Sequence, residues 1–487
     1  MKKLLLLLWL CSLPGLCQDL LVLPDDSPLI SVRLMFKVGA ADDPKGQEGV
    51  AALTAAMLSD GGTRQLTYSQ ILDRLYPWAA EVDSQVGKEV TVFYGVTHKD
   101  NLDGYASLMS SMICDPGFRQ DDFDRVKEQL INFLKEDLRA SNDEELGKEV
   151  LYNQVYAGHP YGHHNAGSLD SLKTITLDQV KAFYRTHYTR GALTVGLAGG
   201  YPESFAVHFA RGFDKLPEGA APRRQLPQPQ AISGRDLTIV KKSTRSTAFS
   251  LGFPIQVNRA SKDWTALWLV RSYFGEHRSS NSYLYQRLRE IRGLNYGDYA
   301  YIEYFPRGMF LSQPDPNYPR QQQIFQIWIR PVEPQNGLFT LRATLYELEK
   351  LVKEGLTPAE FEATREFLSK NVALLVQTDE RRLGYALDDK YYGTAPFVER
   401  VKSDLDKLTV EDVNRVIRQN LQAKNLDIVV ITDKAEEFAQ AVRQETPSPI
   451  TYNSPKPDEI MQEDKVIATF PIKADTIDIV PLDKVFR

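Results

Sequence analysis

The sequence has 487 residues, of which 43% are hydrophobic and 25% are charged, a composition typical of folded globular proteins. This length exceeds that of one ordinary hydrophobic core and predicts two domains. The formal net charge of −6 comes from segments of mixed sign without a lysine- and arginine-rich run, which argues against nucleic acid as a partner.

The first seventeen residues have the pattern of a secretory signal peptide. Two lysines precede a leucine-rich run, Leu4 to Leu10, which is too short to cross a bilayer. We expect cleavage near Cys17 and Gln18 and export, with the periplasm favoured over secretion. Lipid attachment at Cys17 is the alternative, although Leu16 occupies a position where lipoprotein signals usually carry Gly or Ala.

Cysteine usage and hydropathy add two expectations for the exported protein. Cleavage before Gln18 leaves Cys114 as the only cysteine, so no internal disulfide is expected and the cores must supply the stability. No later hydrophobic stretch is long enough for a membrane helix, so we expect no transmembrane segment.

The rest of the chain divides into two similar halves. Residues 217–235, PEGAAPRRQLPQPQAISGR, contain four prolines and predict an extended linker between domains 18–216 and 236–445. Each domain ends in a similar segment, beginning LKTITLDQVKAFY at Leu172 and LDKLTVEDVNRVI at Leu405. In both, a threonine (Thr176 or Thr409) is predicted to cap an amphipathic helix that is followed by a buried strand. This repeat indicates an internal duplication.

The order of elements within each half predicts the fold class. An alternating strand near the start of each half, ISVRLMFKV and TAFSLGFPI, is followed by helices and further strands. We therefore expect an α+β protein, with two homologous α/β sandwich domains in which helices flank a largely antiparallel sheet. A doubly wound dinucleotide-binding fold is disfavoured. Residues 446–487 are predicted to form an extended tail with one or two added strands.

Several segments then occur in the order seen in one peptidase family. VGAADDPKGQEGVAALTAAMLSDGGT (38–63), FDRVKEQLINFLKEDL (123–138), AGHPYGHHNAGSLDSLKTIT (157–176) and LREIRGLNYGDYAYIEY (288–304) resemble blocks of the pitrilysin/insulinase family of zinc metallopeptidases. In that family the first block is a helix carrying the inverted zinc motif HxxEH. Two histidines one turn apart bind zinc, and the intervening glutamate acts as general base.

In this sequence the metal-binding side chains are absent. Matched on the flanking Gly49 and Thr63, the two histidine positions fall on Ala52 and Ala56, and the glutamate position falls on Ala55. The third zinc ligand of the family, a glutamate on a second helix, falls on Phe133, and a further acidic position falls on Val126. We therefore expect no zinc and no catalytic residue in this chain alone. A shifted alignment that gives Glu48 or Glu128 a role is the alternative.

The second helix suggests what replaced the metal site. Its apolar residues recur at helical spacing and predict one buried stripe, formed by Phe123, Val126, Leu130, Phe133 and Leu134. We expect Phe133 to pack against the alanines in a dry contact that fills the former site.

Three histidines in the sequence HPYGHH are a second candidate metal site. His159, His163 and His164 lie close together, but their spacing does not match known zinc motifs. We interpret the segment as a turn set by Pro160 and Gly162 with exposed histidines. Adventitious metal binding is the alternative.

Arg289 and Tyr296 are the candidate substrate-binding residues. On its own, this segment predicts a helix that ends at Gly293 and a strand that begins near Tyr296. The family resemblance implies more, because there an Arg and a Tyr at this spacing reach across to the zinc domain and hold the substrate. Arg287 and Arg292 are candidates in a shifted register.

The resemblance therefore implies a non-catalytic subunit of a metallopeptidase complex. In heterodimeric family members one subunit carries zinc, and its partner supplies the Arg and the Tyr in trans. We expect this chain to be the zinc-less subunit, paired with a zinc-bearing family member that cleaves peptides or unfolded polypeptides. The alternative is a pseudopeptidase that binds peptides or acts as a scaffold without catalysis, which core subunits of the respiratory chain resemble in outline.

Overall fold

The computed structural model describes residues 19–221, 224–276, 279–308, 311 and 313–487. The predicted signal peptide, residues 1–17, lies outside the described residues. Among the helices of the described part, none combines the length and the apolar character that a membrane span requires.

The first half is built around a five-stranded sheet with the order β1-β5-β2-β4-β3. β1 and β5 pair in parallel, and the other neighbours are antiparallel. The strands are β1 (Asp19–Pro24), β2 (Leu29–Phe36), β3 (Asp83–Val86), β4 (Thr91–His98) and β5 (Leu193–Gly199). The helices are α1 (Val50–Ser59), α2 (Tyr68–Leu75), α3 (Leu102–Cys114), α4 (Gln120–Asn132), α5 (Asp143–Val155), α6 (Leu169–Thr174), α7 (Leu177–His187) and α8 (Glu203–Arg211).

The second half is built around a six-stranded sheet with the order β11-β6-β10-β7-β9-β8. Its strands are β6 (Arg235–Lys241), β7 (Thr247–Ile255), β8 (Gly297–Tyr301), β9 (Gln323–Val332), β10 (Leu426–Thr432) and β11 (Thr476–Pro481). Its helices are α9 (Trp264–Gly275), α10 (Gly337–Glu354), α11 (Pro358–Asn371), α12 (Asp379–Tyr392), α13 (Phe397–Lys407), α14 (Val410–Asn420), α15 (Ala435–Arg443) and α16 (Asp458–Ile467).

The two sheets share one design, which confirms the predicted α+β duplication. In each, the first strand pairs in parallel with the last strand of the shared set, β1 with β5 and β6 with β10. The remaining pairings also correspond, because β2 lies between β5 and β4 as β7 lies between β10 and β9. β11 is the addition, and it pairs in parallel with the outer edge of β6.

The helices predicted from the repeated segments begin where the capping pattern indicates. The side chain of Thr176 accepts a hydrogen bond from the backbone N–H of Gln179 at the start of α7. The side chain of Thr409 accepts one from the N–H of Asp412 at the start of α14. Both threonines are therefore N-caps, and each satisfies a backbone donor that the helix itself leaves unpaired.

The two halves exchange helices across their interface. α5 of the first half packs on β7 and β10, whereas α12 of the second half packs on β2 and β5. Buried polar contacts accompany this exchange. Arg33 Nη1 on β2 donates to Asn317 Oδ1 at 2.9 Å, and Tyr304 Oη donates to Glu149 Oε1 at 2.9 Å. Each sheet is thus covered partly by the other half, which fixes the two halves relative to each other.

The connecting and final segments differ in regularity. The described part of 217–234 contains no helix and no strand beyond an isolated bridge at Ala220, and β6 follows at Arg235. Residues 446–487 supply one added strand, β11, as predicted, but the rest is not simply extended, because α16 also lies within them. α16 is held by ion pairs to the second half, which include Arg292 Nε to Asp464 Oδ1 at 2.8 Å.

Candidate functional site

The positions that correspond to the zinc motif lie on α1. Gly49 precedes the helix with φ of +102°, a left-handed conformation that favours glycine. The carboxylate of Asp43 accepts hydrogen bonds from the N–H groups of Gly49 at 2.7 Å and Ala51 at 2.8 Å. The first turn of α1 is therefore anchored by a buried carboxylate.

The alanines on α1 are packed against the first half. Ala52 is 8% exposed, Ala55 is fully buried, and Ala56 is partly buried against the core. α1 contacts α4, α7 and β3. A methyl group offers neither a lone pair nor a proton, so these residues do not fit a zinc ion. In the described part of the chain, no three His, Cys, Asp or Glu side chains form a group that could hold a metal ion.

The prediction that Phe133 is buried in a dry contact is wrong. Phe123, Val126 and Leu134 are buried as predicted, and Leu130 is partly buried, but Phe133 is 37% exposed.

The departure has a structural cause in the helix. α4 ends at Asn132, and residues Phe133–Ala140 form a π-helix. The buried face runs through Ile131, Leu134 and Leu138, which keep α-helical spacing, and it is centred away from Phe133. Phe133 points away from that face, and its ring centroid lies 5.8 Å from that of His164.

The prediction that the three histidines of the HPYGHH segment are exposed is wrong, because all three side chains are buried or partly buried in the fold. His159 and His164 are 7% and 8% exposed, and His163 is partly buried. His163 Nε2 lies 3.1 Å from Asp43 Oδ2, and the three rings make separate contacts without converging. Burial lowers the pKa of all three, that of His164 to about 3. His164 is therefore neutral at pH 7.

Arg289 and Tyr296 are brought together at the edge of the second sheet. Arg289 lies in the π-helix Tyr285–Glu290, and Tyr296 immediately precedes the edge strand β8. Arg289 Nη1 donates a hydrogen bond to the carbonyl oxygen of Tyr296 at 3.0 Å. The guanidinium carbon lies 4.3 Å from the centroid of the Tyr296 ring and 4.6 Å from that of Tyr285. The charge is thus held between two aromatic rings.

The two alternative arginines have different surroundings. Arg287 pairs with Glu347 and Glu463, and Arg292 pairs with Glu463 and Asp464. Arg289 makes no ion pair within the described residues, and Tyr296 is 64% exposed. Arg289 is therefore the one of the three whose charge is not already paired with a carboxylate in that part of the chain.

Sequence reasoning missed two neighbours of this pair. Tyr285 lies four residues before Arg289, a spacing that places two helical side chains side by side and could have revealed the contact. Asp298 is buried, and burial raises its pKa to about 7 although Asn295 donates a hydrogen bond to it at 3.0 Å. The raised pKa of Asp298 depends on burial, which the spacing of residues in the sequence does not reveal.

Comparison with known proteins gives a consistent assignment. The family model of the insulinase family, peptidase family M16, matches residues 22–168, and that of the peptidase M16 inactive domain matches residues 174–368. An uncharacterized zinc protease of Mycobacterium tuberculosis is 22% identical over 403 residues, which are 81% of this chain and 86% of that protein. The non-peptidase homolog YmxG of Helicobacter pylori is 21% identical over 419 residues, 84% and 90% of the two chains.

A solved structure extends the similarity to the whole fold. The crystal structure of a peptidase M16 inactive domain from Pseudomonas fluorescens has a TM-score of 0.73 and 23% identity, and the match covers 85% of this chain and 95% of that one. The shared fold and the two adjoining family matches identify this chain as a member of the insulinase family, peptidase family M16.

Proposed function

We propose that this protein is the zinc-less subunit of an exported metallopeptidase complex. In this proposal it presents Arg289 and Tyr296 to a zinc-bearing family member, which cleaves peptides or unfolded polypeptides. The match to an inactive-domain model and the similarity to a non-peptidase homolog support a non-catalytic family member. The alanines on α1 agree with this reading, because they supply no group for binding zinc or activating water.

The observation that carries the proposal is the environment of the Arg289 guanidinium. Its guanidinium is held between the rings of Tyr285 and Tyr296, without an ion pair in the described chain. Burial of an arginine for stability normally involves a carboxylate partner, as Arg287 and Arg292 have here. An oriented, unpaired and partly exposed guanidinium beside an exposed phenol is instead suited to binding an external acceptor.

The chemistry of peptide hydrolysis provides such an acceptor. As water attacks a peptide carbonyl, negative charge develops on the oxygen, and donors already in place lower the free energy of that state. Arg289 can supply charged N–H donors, and the hydroxyl of Tyr296 can supply a neutral one. In the proposed complex both residues bind and orient the substrate, while the zinc expected in the partner activates the water.

The test is a reconstituted complex with an HxxEH-bearing family member. Arg289→Ala and Tyr296→Phe should each lower kcat on a peptide library by about 100-fold, the usual loss for one such donor. Size-exclusion chromatography should show the mutant complexes intact. Arg418→Ala, an exposed arginine on α14, and Tyr76→Phe, an exposed tyrosine of the first half, are the matched controls and should retain full activity.

The second candidate is a pseudopeptidase that holds peptides or organises a complex without catalysis. The packed alanines of the first half favour it, because nothing in them requires a catalytic partner. Full activity of both Arg289→Ala and Tyr296→Phe in an intact complex would move the assignment to this candidate. The absence of any HxxEH-bearing family member from the genome would have the same effect.

Export is a separate part of the proposal. It depends on the signal-like pattern of residues 1–17, which precede the described part of the chain. Mass spectrometry of the protein recovered from a periplasmic fraction should give an N-terminus near Gln18. An intact N-terminus in a cytoplasmic fraction would contradict export, and a lipid-modified Cys17 would establish the lipoprotein alternative.

A further inference from the structure

The last residues of the sequence cross from the second half to the first. β11 pairs with β6 in the second sheet, and the following residues, Leu482–Arg487, here called the terminal segment, lie against the first half. Val485 and Phe486 are 7% and 8% exposed and belong to the hydrophobic core of the first half.

Phe486 contacts a defined set of groups in the first half. Its ring centroid lies 5.6 Å from that of His164, which also lies 5.8 Å from the ring centroid of Phe133. The carbonyl oxygen of Phe486 accepts a hydrogen bond at 2.9 Å from the N–H of Leu169, in the first turn of α6. An aromatic contact and a backbone hydrogen bond together fix both the side chain and the main chain of the segment.

Charges complete the contact on both sides of Phe486. Arg487 Nε lies 3.5 Å from Asp170 Oδ2 on α6. On the other side, Arg139 of the first half is only 8% exposed, and the negative charges that act on it are Asp483 of the terminal segment and Asp170. Arg139 Nε and Nη2 have no hydrogen-bond partner in the described chain, so this buried cation retains donors for an incoming acceptor.

We propose that this surface of the first half is a peptide-binding site and that the terminal segment is its intramolecular ligand. The site, here called the tail pocket, consists of Phe133, Arg139, His164, Leu169 and Asp170. Its ligand class is a short extended peptide with an aromatic side chain, a basic residue after it and an acidic residue three positions before it, as in DKVFR. The tail pocket lies on the first half, so it does not depend on the proposed role of Arg289 and Tyr296.

The surroundings of the terminal segment indicate that another peptide can take its place in the tail pocket. β11 is an edge strand whose side chains are all partly or fully exposed, and Asp483 and Lys484 are exposed. Phe486 is held at φ of +51°, a conformation that a bulky residue adopts at a cost. Outside the tail pocket the segment is held by Val485 and the partly buried Leu482, which pack on the core of the first half, and binding to the pocket must offset the backbone cost at Phe486.

The test is binding in trans. A variant that lacks residues 482–487 is titrated against the fluorescently labelled hexapeptide LDKVFR, with fluorescence anisotropy as the measurement. We expect saturable binding, at least about ten-fold weaker for the peptide with Phe486→Ala. The full-length chain should also bind the hexapeptide at least about ten-fold more weakly than the truncated one, because its own segment occupies the pocket at a high effective concentration.

Variants of the tail pocket make the test specific. Phe133→Ala in the truncated chain should weaken binding, whereas Phe367→Ala, an exposed phenylalanine on α11, should not. If the truncated chain does not fold, full-length Phe486→Ala serves as the acceptor, since it keeps β11. No binding to a folded acceptor, equal binding of both peptides, or failure of both acceptors to fold would overturn the proposal, the last because the segment would then be an integral part of the fold.

Discussion

The two halves of this protein share a strand order but differ in what they present to the surface. In the first half, the positions of the family's zinc motif carry Ala52, Ala55 and Ala56, which are packed into the structure. In the second half, Arg289 and Tyr296 are oriented by contacts with each other and are partly or fully exposed. One fold thus supports a packed, chemically inert region and an accessible polar one, and side chains at a few positions decide which.

The largest expected loss of stability tests whether the zinc-motif positions of the first half have become part of an ordinary hydrophobic core. Ala55→Glu restores the carboxylate of the motif but places it where the native side chain is fully buried. Without a metal or a partner charge, we expect a loss of about 3–4 kcal/mol in the free energy of unfolding. Urea denaturation measures it, and Ala182→Glu, at an exposed position on α7, is the control with an expected change within about 0.5 kcal/mol. A stability loss equal to that of the control would mean that the site is still open.

The next largest effect is a difference in stability loss between substitutions of Arg292 and Arg289 in the second half. Arg292 is fully buried and pairs with Glu463 and Asp464. Arg292→Met therefore leaves the buried carboxylate of Asp464 without its ion-pair partner, whereas Glu463 keeps Arg287. We expect a loss of about 2–3 kcal/mol. Arg289→Met removes only the contacts with two aromatic rings and one carbonyl, and should cost about 1 kcal/mol or less. Thermal unfolding of the two variants checks this order. A reversed order would make Arg289 a structural residue and weaken its proposed role in binding substrate.

Much of the fold could be predicted because it follows from local patterns. The threonine caps of α7 and α14, the alternation in β2 and β7, and the repeated order of elements are all written in short segments. The choice of Arg289 and Tyr296 came from the family resemblance, because the segment on its own predicted only a helix end followed by a strand; the structure places the two residues in contact.

What could not be predicted depends on contacts between distant segments. The histidines of the HPYGHH turn are buried by groups such as Asp43 and Phe486, which no local pattern connects to them. The helix α16 is held by ion pairs to arginines more than 170 residues away. For Phe133 the periodicity itself misled, because its spacing from Val126 and Leu130 fits a helical stripe, whereas the buried face is centred on Leu134 and Leu138 and leaves Phe133 at its margin.

The smallest expected loss of stability is for a substitution at Phe133. It tests whether this residue belongs to the packed core or lies at its margin. If Phe133 filled the former metal site, Phe133→Glu would bury a carboxylate and cost about 2–4 kcal/mol. Because its side chain is 37% exposed, the new carboxylate can reach water, and the loss is limited mainly to the contact with His164. We therefore expect about 1 kcal/mol or less by urea denaturation. Phe367→Glu, at a position that is 45% exposed on α11, is the matched control and should give a similar value. A loss for Phe133→Glu as large as that for Ala55→Glu would show that the ring is buried against the alanines of α1 in solution. The former ligand position and the former general-base position would then belong to one continuous core.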